Sequence, residues 1–496
     1  MTPTIIIGCY LAILLLLGVS SNRLFKGTSL DYLLASHSIG PFLLLMSLFG
    51  TTMTSFSLVG STGYAFGNGI GVYGLMGTAA AILHPLCFYL IGLKVWSLGS
   101  RYGYTTQIEF FADRLESRRI GLLLFPVAVG LIVPYVLIGI IGGGGTIEAV
   151  TDIPAKYGSL IICGVVLAYV FFGGMRGTAW ANAFQTCVFM VLGVVTFVVL
   201  VKGMGGEDSF LASLKSATAS VDESKLSRVN MPVSKYFAYL FIPLSIGMFP
   251  HIFQHWLTAR DADAFKLPVI FHPLFVLIVW APCVLIGTWA SGDPEIVAQV
   301  ASKDLKTSKI LGELVNKHSG EVLAGLLTAG VLAAIMSSLD SQFLCIGTMF
   351  TRDILGHRPS EEGDDKKTVV AARCFVVGVV AVSYGLSLVA PAGVFSLGIW
   401  CFSGFTALFP LIVAALYWRG LTKIGACSAI VVMAALWGYL FYDSGYGANP
   451  KYSFLGMHQI LVLTGATTLV MIGVSLVTPK PSEETLSRFF SETPTN

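Results

Sequence analysis

Residues 322–351 read VLAGLLTAGVLAAIMSSLDSQFLCIGTMFT, and this stretch decides how the rest of the chain is understood. No charge occurs from Val322 to Leu339; Asp340 follows, and the next charge is Arg352. A run this long and apolar suits a helix that crosses a bilayer, for which about 20 residues suffice. Ala334, Ser337, Ser338 and Ser341 follow i, i+3, i+4, i+7 spacing, so a helix gathers them into one small, hydroxyl-bearing stripe. Asp340 lies at the edge of that stripe, about 60° round the helix from Ser337. In such a run a bare carboxylate costs about 3 kcal/mol or more unless it meets a partner, a cation or water. Hydroxyls and an acid on one face offer only oxygen, which suits a hard monovalent cation. A helix-packing face would also use small residues and serines, but it would not need the acid.

Composition agrees with a membrane setting. Of 496 residues 55% are hydrophobic and only 11% charged, where an ordinary soluble domain carries about a quarter charged residues. A net charge of +3 gives no footprint for nucleic acid. The nine cysteines are scattered, with no CxxC and no metal-ligand spacing, and read as small core residues of a reduced chain. Residues 4–20 are apolar but lack a basic leading segment and a small-residue cleavage site, so they read as a first span.

Uncharged stretches of span length run from 3–21 to 455–478 and give about 13 transmembrane helices. The fold class expected is therefore an all-α polytopic membrane protein. Its single transmembrane domain divides into an extra helix at 1–21, a ten-helix core at 39–418, additional helices at 424–478 and a polar cytoplasmic tail at 479–496. An odd number of spans puts the termini on opposite sides. With the N-terminus outside, Arg23, Lys26, Arg101, Arg114, Arg118, Arg119, Arg260, Lys266 and Arg419 all fall on the inner side. The short outer loops then hold only Lys156 and Lys451. The distribution favours a multi-pass cell-membrane protein with its N-terminus out and its C-terminus in.

Two spans contain residues that disfavour a continuous helix. One runs Leu48-Phe49-Gly50-Thr51-Thr52-Met53-Thr54-Ser55-Phe56-Ser57; the other runs Phe241-Ile242-Pro243-Leu244-Ser245-Ile246-Gly247-Met248-Phe249-Pro250. They are the first and sixth spans of the ten-helix core. Broken helices at matching positions of two five-helix halves point to a midplane site whose freed carbonyls bind a cation.

Three further motifs carry a resemblance. Gly173-Gly174-Met175-Arg176, followed by Trp180-Ala181-Asn182-Ala183-Phe184-Gln185, resembles the GG…W-T-D-x-x-Q stretch of the sodium:solute symporter family. Ala333-Ala334-Ile335-Met336-Ser337-Ser338 resembles its AA-x-M-S-[ST] helix, and Ala415-Leu416-Tyr417-Trp418-Arg419 with Gly425-Ala426 resembles its L-Y/F-W-[KR]…GA stretch. The resemblance covers most of the chain. It implies a LeuT-type 5+5 inverted repeat, sodium as the coupling ion, and uptake of a small polar organic solute by alternating access.

Carried over residue by residue, the resemblance sets the main sodium site at the carbonyls of Gly50, Met53 and Ala334 and the hydroxyls of Ser337 and Ser338. It implies a second cation site at Asn182, Asp340 and Ser341, with one departure: Asn182 stands where several members have Asp, so the carboxylate has moved to the other helix. Thr52, Thr54 and Ser57 align with substrate-contacting hydroxyls. The arginine that clamps a carboxylate in sialic-acid-type members falls near Ile132 and is missing, although a half-helix N-terminus can also hold a carboxylate.

Other polar residues read as structural: His84 as a helix-packing histidine, and His251, Gln254 and His255 as parts of a helix end. Glu148 is expected at an outer helix end, reached by water. A membrane sensor using the same fold, or a proton-coupled transporter, is the alternative. An enzyme is not expected, since the chain shows no paired acids, zinc motif or activated nucleophile. The partners expected are the solute, sodium and the bilayer, with no nucleic acid, for a chain acting as a monomer.

Overall fold

The computed structural model describes residues 1–21, 35–229, 231–356, 366–449 and 451–490. Arg23 and Lys26, on which the orientation partly rested, lie outside these residues, as does the end of the tail, 491–496. The described chain is built of helices, which we number through the candidate spans. These are α1 (Thr2–Ser21), α2a and α2b (Pro41–Thr52, Phe56–Asn68), α3 (Gly71–Tyr102), α4 (Ile120–Val150), α5 (Ala155–Phe171) and α6 (Gly174–Gly205). The second half holds α7a and α7b (Val233–Gly247, Pro250–Thr258), α8 (Ala262–Ala290), α9 (Glu321–Ile354), α10 (Val370–Ser387) and α11 (Val394–Tyr417), followed by α12 (Lys423–Asp443) and α13 (Gln459–Val477).

Among the described residues nine helices are long and apolar enough to cross a membrane, or up to 11 if each bent pair is one span. The expected 13 would further require α1 and α5 to cross, and their apolar parts, Thr2–Gly18 and Ala155–Phe171, are shorter. Both interrupted spans are bent, α2 by 52° and α7 by 48°. In α2 the cause is Met53, whose extended backbone (φ −87°, ψ 102°) ends α2a; Thr54 Oγ1 then accepts the Phe56 N–H at 3.0 Å and starts α2b. In α7 a 3₁₀ segment, Ile242–Gly247, is cut off by extended Phe249 before Pro250 opens α7b. Proline fits a first helical turn, where its missing N–H needs no acceptor. Between α5 and α6 the kink is at Gly174 (φ 54°, ψ −156°), a conformation closed to residues with a Cβ.

Burial shows which helix is central. In α9, and equally in α11, 83% of the apolar window is covered by protein, against 22% for α10. The run from Leu327 to Met349 is buried throughout. It packs on α2a, α4, α6 and also α1. The supposedly extra helix thus lines the core: Ile7, Tyr10, Leu11 and Leu14 are buried. Small residues on α9 permit this close packing.

The tail differs from the polar extension expected. Glu483–Phe490 forms a helix that buries Leu486 and Phe489. It docks on the connection between α3 and α4, where Arg488 donates to both oxygens of Asp113, at 3.0 and 2.5 Å. Phe489 meets Phe110 edge-on with centroids 5.7 Å apart. The Arg114 guanidinium lies against the Phe489 and Phe490 rings and donates to Ala415 O at 2.9 Å and Trp418 O at 3.1 Å; burial lowers its pKa to about 10. A hydrogen bond from the Ser482 hydroxyl holds Glu116 below the usual carboxylate range. That contact therefore stabilises docking above about pH 4.3 and is lost as the pH falls through the lowered value. Arg488→Ala should undock the helix, with protease cleavage between 479 and 490 at least about tenfold faster, the equivalent of one charge-assisted pair.

Candidate functional site

The serine stripe of α9 faces the break in α2. Ser337 Oγ sits between two carbonyls, 2.8 Å from Gly50 O and 2.9 Å from Ala334 O. Gly50 has to be glycine for this approach: a Cβ there would stand 2.5 Å from Thr186 Oγ1 and 3.6 Å from Ser337 Cβ. Met53 closes α2a nearby, and its extended ψ turns its carbonyl away from the helix ladder. The Ser338 hydroxyl is directed elsewhere, to Ile335 O on its own helix at 2.9 Å. Of the five residues expected at the main sodium site, Gly50, Ala334 and Ser337 therefore make direct contact, and the Ser338 hydroxyl is not hydrogen-bonded to them. The C-terminal end of α2a adds its partial negative charge, which favours a cation.

Asp340 is fully buried one helical turn farther along. Tyr169 OH of α5 donates to its Oδ2 at 3.1 Å, and Ser341 Oγ donates to its Oδ1 at 3.1 Å. The Asn182 side chain of α6 lies with its oxygen toward Ser341 Oγ, whose single proton serves either that oxygen or Asp340 Oδ1. Its nitrogen then reaches Ser337 O at 3.0 Å and the Asp340 oxygens at 3.1 and 3.0 Å. Thr51 of α2a joins through Ser341 Oγ at 2.7 Å, and His255 Nε2 of α7b through the same hydroxyl at 3.1 Å. Tyr10 of α1 and Gln185 of α6 stand beside the cluster. The three residues expected at the second cation site are thus in contact, and among the described residues no Lys or Arg is bonded to Asp340.

Beyond the break lies a cavity of about 40 Å³. Its polar lining comes from Thr52, Ser57, His84, Tyr135, Ser245 and Trp280, and its walls are Phe56, Phe249, Phe402 and other apolar groups. Thr54 is absent from that lining, because its hydroxyl caps α2b. A larger vestibule of about 610 Å³ opens on the side of the 291–320 and 444–458 loops. Rings of α2b and α11 divide the two: Phe395 stacks on Phe56 at 5.0 Å and on Tyr64 at 4.0 Å, and Phe402 meets Phe56 edge-on at 4.9 Å. Toward the opposite face, Arg352 at the end of α9 pairs with Glu109 and donates to Thr105 Oγ1 at 2.7 Å. Thr106 Oγ1 donates to Asp353 Oδ1 at 2.8 Å. The cavity is therefore closed off from the vestibule by aromatic rings, and a polar lock ties the far end of α9 to the α3–α4 connection.

Two bent helices, an oxygen-lined contact at one break and a cavity shut off from the vestibule by aromatic rings fit a transporter. The sodium:solute symporter family model matches residues 32–432.

The chain belongs to the sodium:solute symporter family.

Sodium-coupled solute symport is therefore its class of activity, and like the family it is a transporter rather than an enzyme. This symporter is 25% identical over 446 residues to a sodium/proline symporter of Staphylococcus aureus (strain bovine RF122 / ET3-1), covering 86% of this chain and 83% of that relative. The sodium/proline symporter of strain JH9 matches over the same shares. In fold it is similar to a sodium-coupled sialic acid symporter in a substrate-bound, outward-open state. That match has a TM-score of 0.75 at 17% identity and covers 97% of this chain and 99% of the other. A nucleobase-cation-symport-1 family transporter in a closed conformation gives a TM-score of 0.52 at 15% identity, covering 92% and 97%. The architecture is thus the LeuT-type fold the motifs implied.

Several of the symporter's site residues escaped sequence reading. Thr51 is one hydroxyl in a run of several, Tyr169 lies in an apolar span, and His255 reads as structural. His84 is satisfied as a packing histidine would be, by His272 at 3.0 Å, but it also lines the cavity. Glu148 is half-buried and paired with Lys309 rather than simply bathed in water. The difference between Ser57 and Thr54 is testable. Ser57→Leu fills part of the cavity and should weaken solute binding about tenfold or more at unchanged sodium affinity. Thr54→Val should weaken both, because it loosens the cap of α2b, a loss of about 1 kcal/mol. Isothermal titration of each ligand in turn reads both effects.

Proposed function

We propose that this symporter imports a small polar organic solute together with sodium by alternating access across the cell membrane, as a monomer with its N-terminus outside. The main sodium ion is held by the carbonyls of Gly50, Met53 and Ala334 and the hydroxyls of Ser337 and Ser338. The observation that carries this reading is the Ser337 hydroxyl seated between Gly50 O and Ala334 O at the break of α2. A sodium ion in that place would be coordinated by both halves of the contact, so its binding would fix α2a against α9. Solute then occupies the cavity beside Thr52 and Ser57, and Thr54 acts by shaping the break. Releasing the aromatic rings or the Arg352–Glu109 lock in turn would expose the cavity to one face and then the other.

A second cation is proposed at Asp340, Asn182 and Ser341. What supports it is a carboxyl wholly buried among neutral donors. Such a group needs a proton or a cation, since an unpaired buried charge costs far more than its hydrogen bonds return. Sodium suits the surrounding oxygens, and a proton remains the second reading because it too would neutralise a carboxyl shut away from water. The domain reading follows: 39–418 is the moving core, 1–21 and 424–478 buttress it, and 479–496 is cytoplasmic.

The test is uptake into proteoliposomes under an imposed sodium gradient, with the solute found by thermal-shift screening with and without sodium. A ligand of the folded state raises its apparent stability. A solute whose stabilisation needs sodium, and whose uptake stops when the gradient is collapsed, supports the reading. Uptake independent of sodium removes it.

A further inference from the structure

Resting on the symport reading, we infer that the solute is a small organic carboxylate without a free ammonium, received by the indole N–H of Trp280 and the outward ring nitrogen of His84, with His272 setting the His84 tautomer.

Three observations converge on this. Trp280 of α8 is 6% exposed, lines the cavity, and its Nε1 has no hydrogen-bond partner. An indole N–H only donates, and a buried donor left unsatisfied is costly, so this atom awaits an acceptor. It is the kind of group that binds an oxygen of the solute.

His84 of α3 faces the same cavity. Its Nδ1 lies 3.0 Å from His272 Nε2 of α8, and the other nitrogen of His272, Nδ1, is buried without a partner. One nitrogen of the contact must donate and the other accept. If His84 donated, His272 would carry its proton on Nδ1 and leave a buried N–H unpaired. If His272 donates, only a lone pair is left unpaired, which is the cheaper arrangement. The His84 proton then resides on Nε2, the only polar atom His84 has left for the cavity it lines. Phe49 and Phe88 meet His272 edge-on, at 5.4 and 5.1 Å, and fix its ring. Two N–H donors and hydroxyls, with no Asp or Glu among the described lining residues, suit a carboxylate and offer an ammonium no counter-charge.

The vestibule has the same preference. Among the described residues Lys303 and Lys306 line it and no acidic side chain does; the neighbouring Asp304 carboxylate is taken by Ser302 Oγ at 2.6 Å. Basic walls concentrate anions ahead of the aromatic rings. The cavity's volume limits size: at about 10–15 Å³ for each water position, it holds roughly three waters. That is the space of a carboxylate with a short apolar body, which the surrounding Phe56, Phe249 and Phe402 would cover.

The experiment measures thermal stabilisation and competition in the purified, sodium-saturated full-length chain. The probes are straight-chain monocarboxylates of about two to six carbons, the primary amide of each, and proline. Expected are stabilisation by at least one carboxylate and binding at least about tenfold weaker for its amide and for proline, the loss of one charge-assisted hydrogen bond. Trp280→Phe and His84→Leu should each weaken that carboxylate about tenfold at unchanged sodium midpoint, and His84→Gln, which retains an N–H donor, should stay within about threefold. If Trp280→Phe fails to fold, the His84 pair of variants decides. Proline binding more tightly than every carboxylate, or His84→Leu binding as wild type, overturns the inference and leaves sodium symport standing. Absence of sodium-dependent stabilisation by any solute in a broad screen would instead remove the symport reading itself.

Discussion

Alanine at both Ser337 and Ser338 should raise the sodium concentration that half-saturates uptake by about 100-fold, or abolish uptake, while the protein still reaches the membrane. Each substitution deletes one oxygen ligand, and a hydrogen-bond-like contact to a charged group contributes about 1.5–3 kcal/mol; losing two gives a hundredfold or more. Folding should tolerate the change, since alanine is the best helix former and the stripe is already small. The structure also orders the single variants. Ser337 already meets Gly50 O and Ala334 O, whereas Ser338 is turned to Ile335 O, so Ser337→Ala should cost more sodium affinity than Ser338→Ala. Gly50→Ala should be as damaging as the double variant, because its Cβ would press on Thr186 Oγ1 at 2.5 Å. Sodium titration of wild-type affinity in the double variant would show the main site to be elsewhere.

The second large effect is expected at Asp340. If sodium occupies this site, Asp340→Asn should lower the sodium-to-solute ratio by one, and Asp340→Asn combined with Asn182→Asp should restore it. The restoration is reasonable because Asn182 sits within 3.1 Å of both carboxyl oxygens, so the charge returns to nearly the same point. If a proton occupies it, the ratio of sodium to solute is unchanged, and a pH dependence of transport present in the wild type disappears in Asp340→Asn. Parallel measurement of radiosodium, charge movement and solute flux from about pH 5.5 to 8.5 separates these outcomes, the range lying to either side of the histidine value. A ratio and a pH profile both unchanged in Asp340→Asn would mean that no ion binds there. Tyr169→Phe supplies a control: it removes the donor at 3.1 Å without altering charge, and should shift the affinity of the second ion and leave the main site untouched.

The comparison of sequence with structure is clearest helix by helix. The bend of α2 was visible because Gly50 and the threonine run oppose helix continuity, and the bend of α7 because Pro243 and Pro250 do. The stripe on α9 was visible because 3.6-residue periodicity depends on one helix alone. Thr54 was assigned to the cavity because all hydroxyls near a break look alike in sequence; its use as the cap of α2b depends on one local hydrogen bond. The tail read as a plain extension because its polar residues outnumber its apolar ones, yet Leu486 and Phe489 share one helical face and find a hydrophobic dock.

By itself the sequence determined the quantities that are local along the chain. These are the lengths of the apolar runs, the places where helices must break, the small-residue face of α9 and the motifs that match its family. Only the tertiary structure decided which helices touch. It brought Tyr169, Asn182, Thr51 and His255 to the buried middle of α9 from four other helices, and turned α1 from an appendage into part of the core. It also joined His84 to His272 across 188 positions of chain. The physical reason is that bilayer crossing and helix breaking depend on a residue and its near neighbours. The partner of a buried polar atom depends instead on how helices far apart in sequence are packed, and no single segment carries that information.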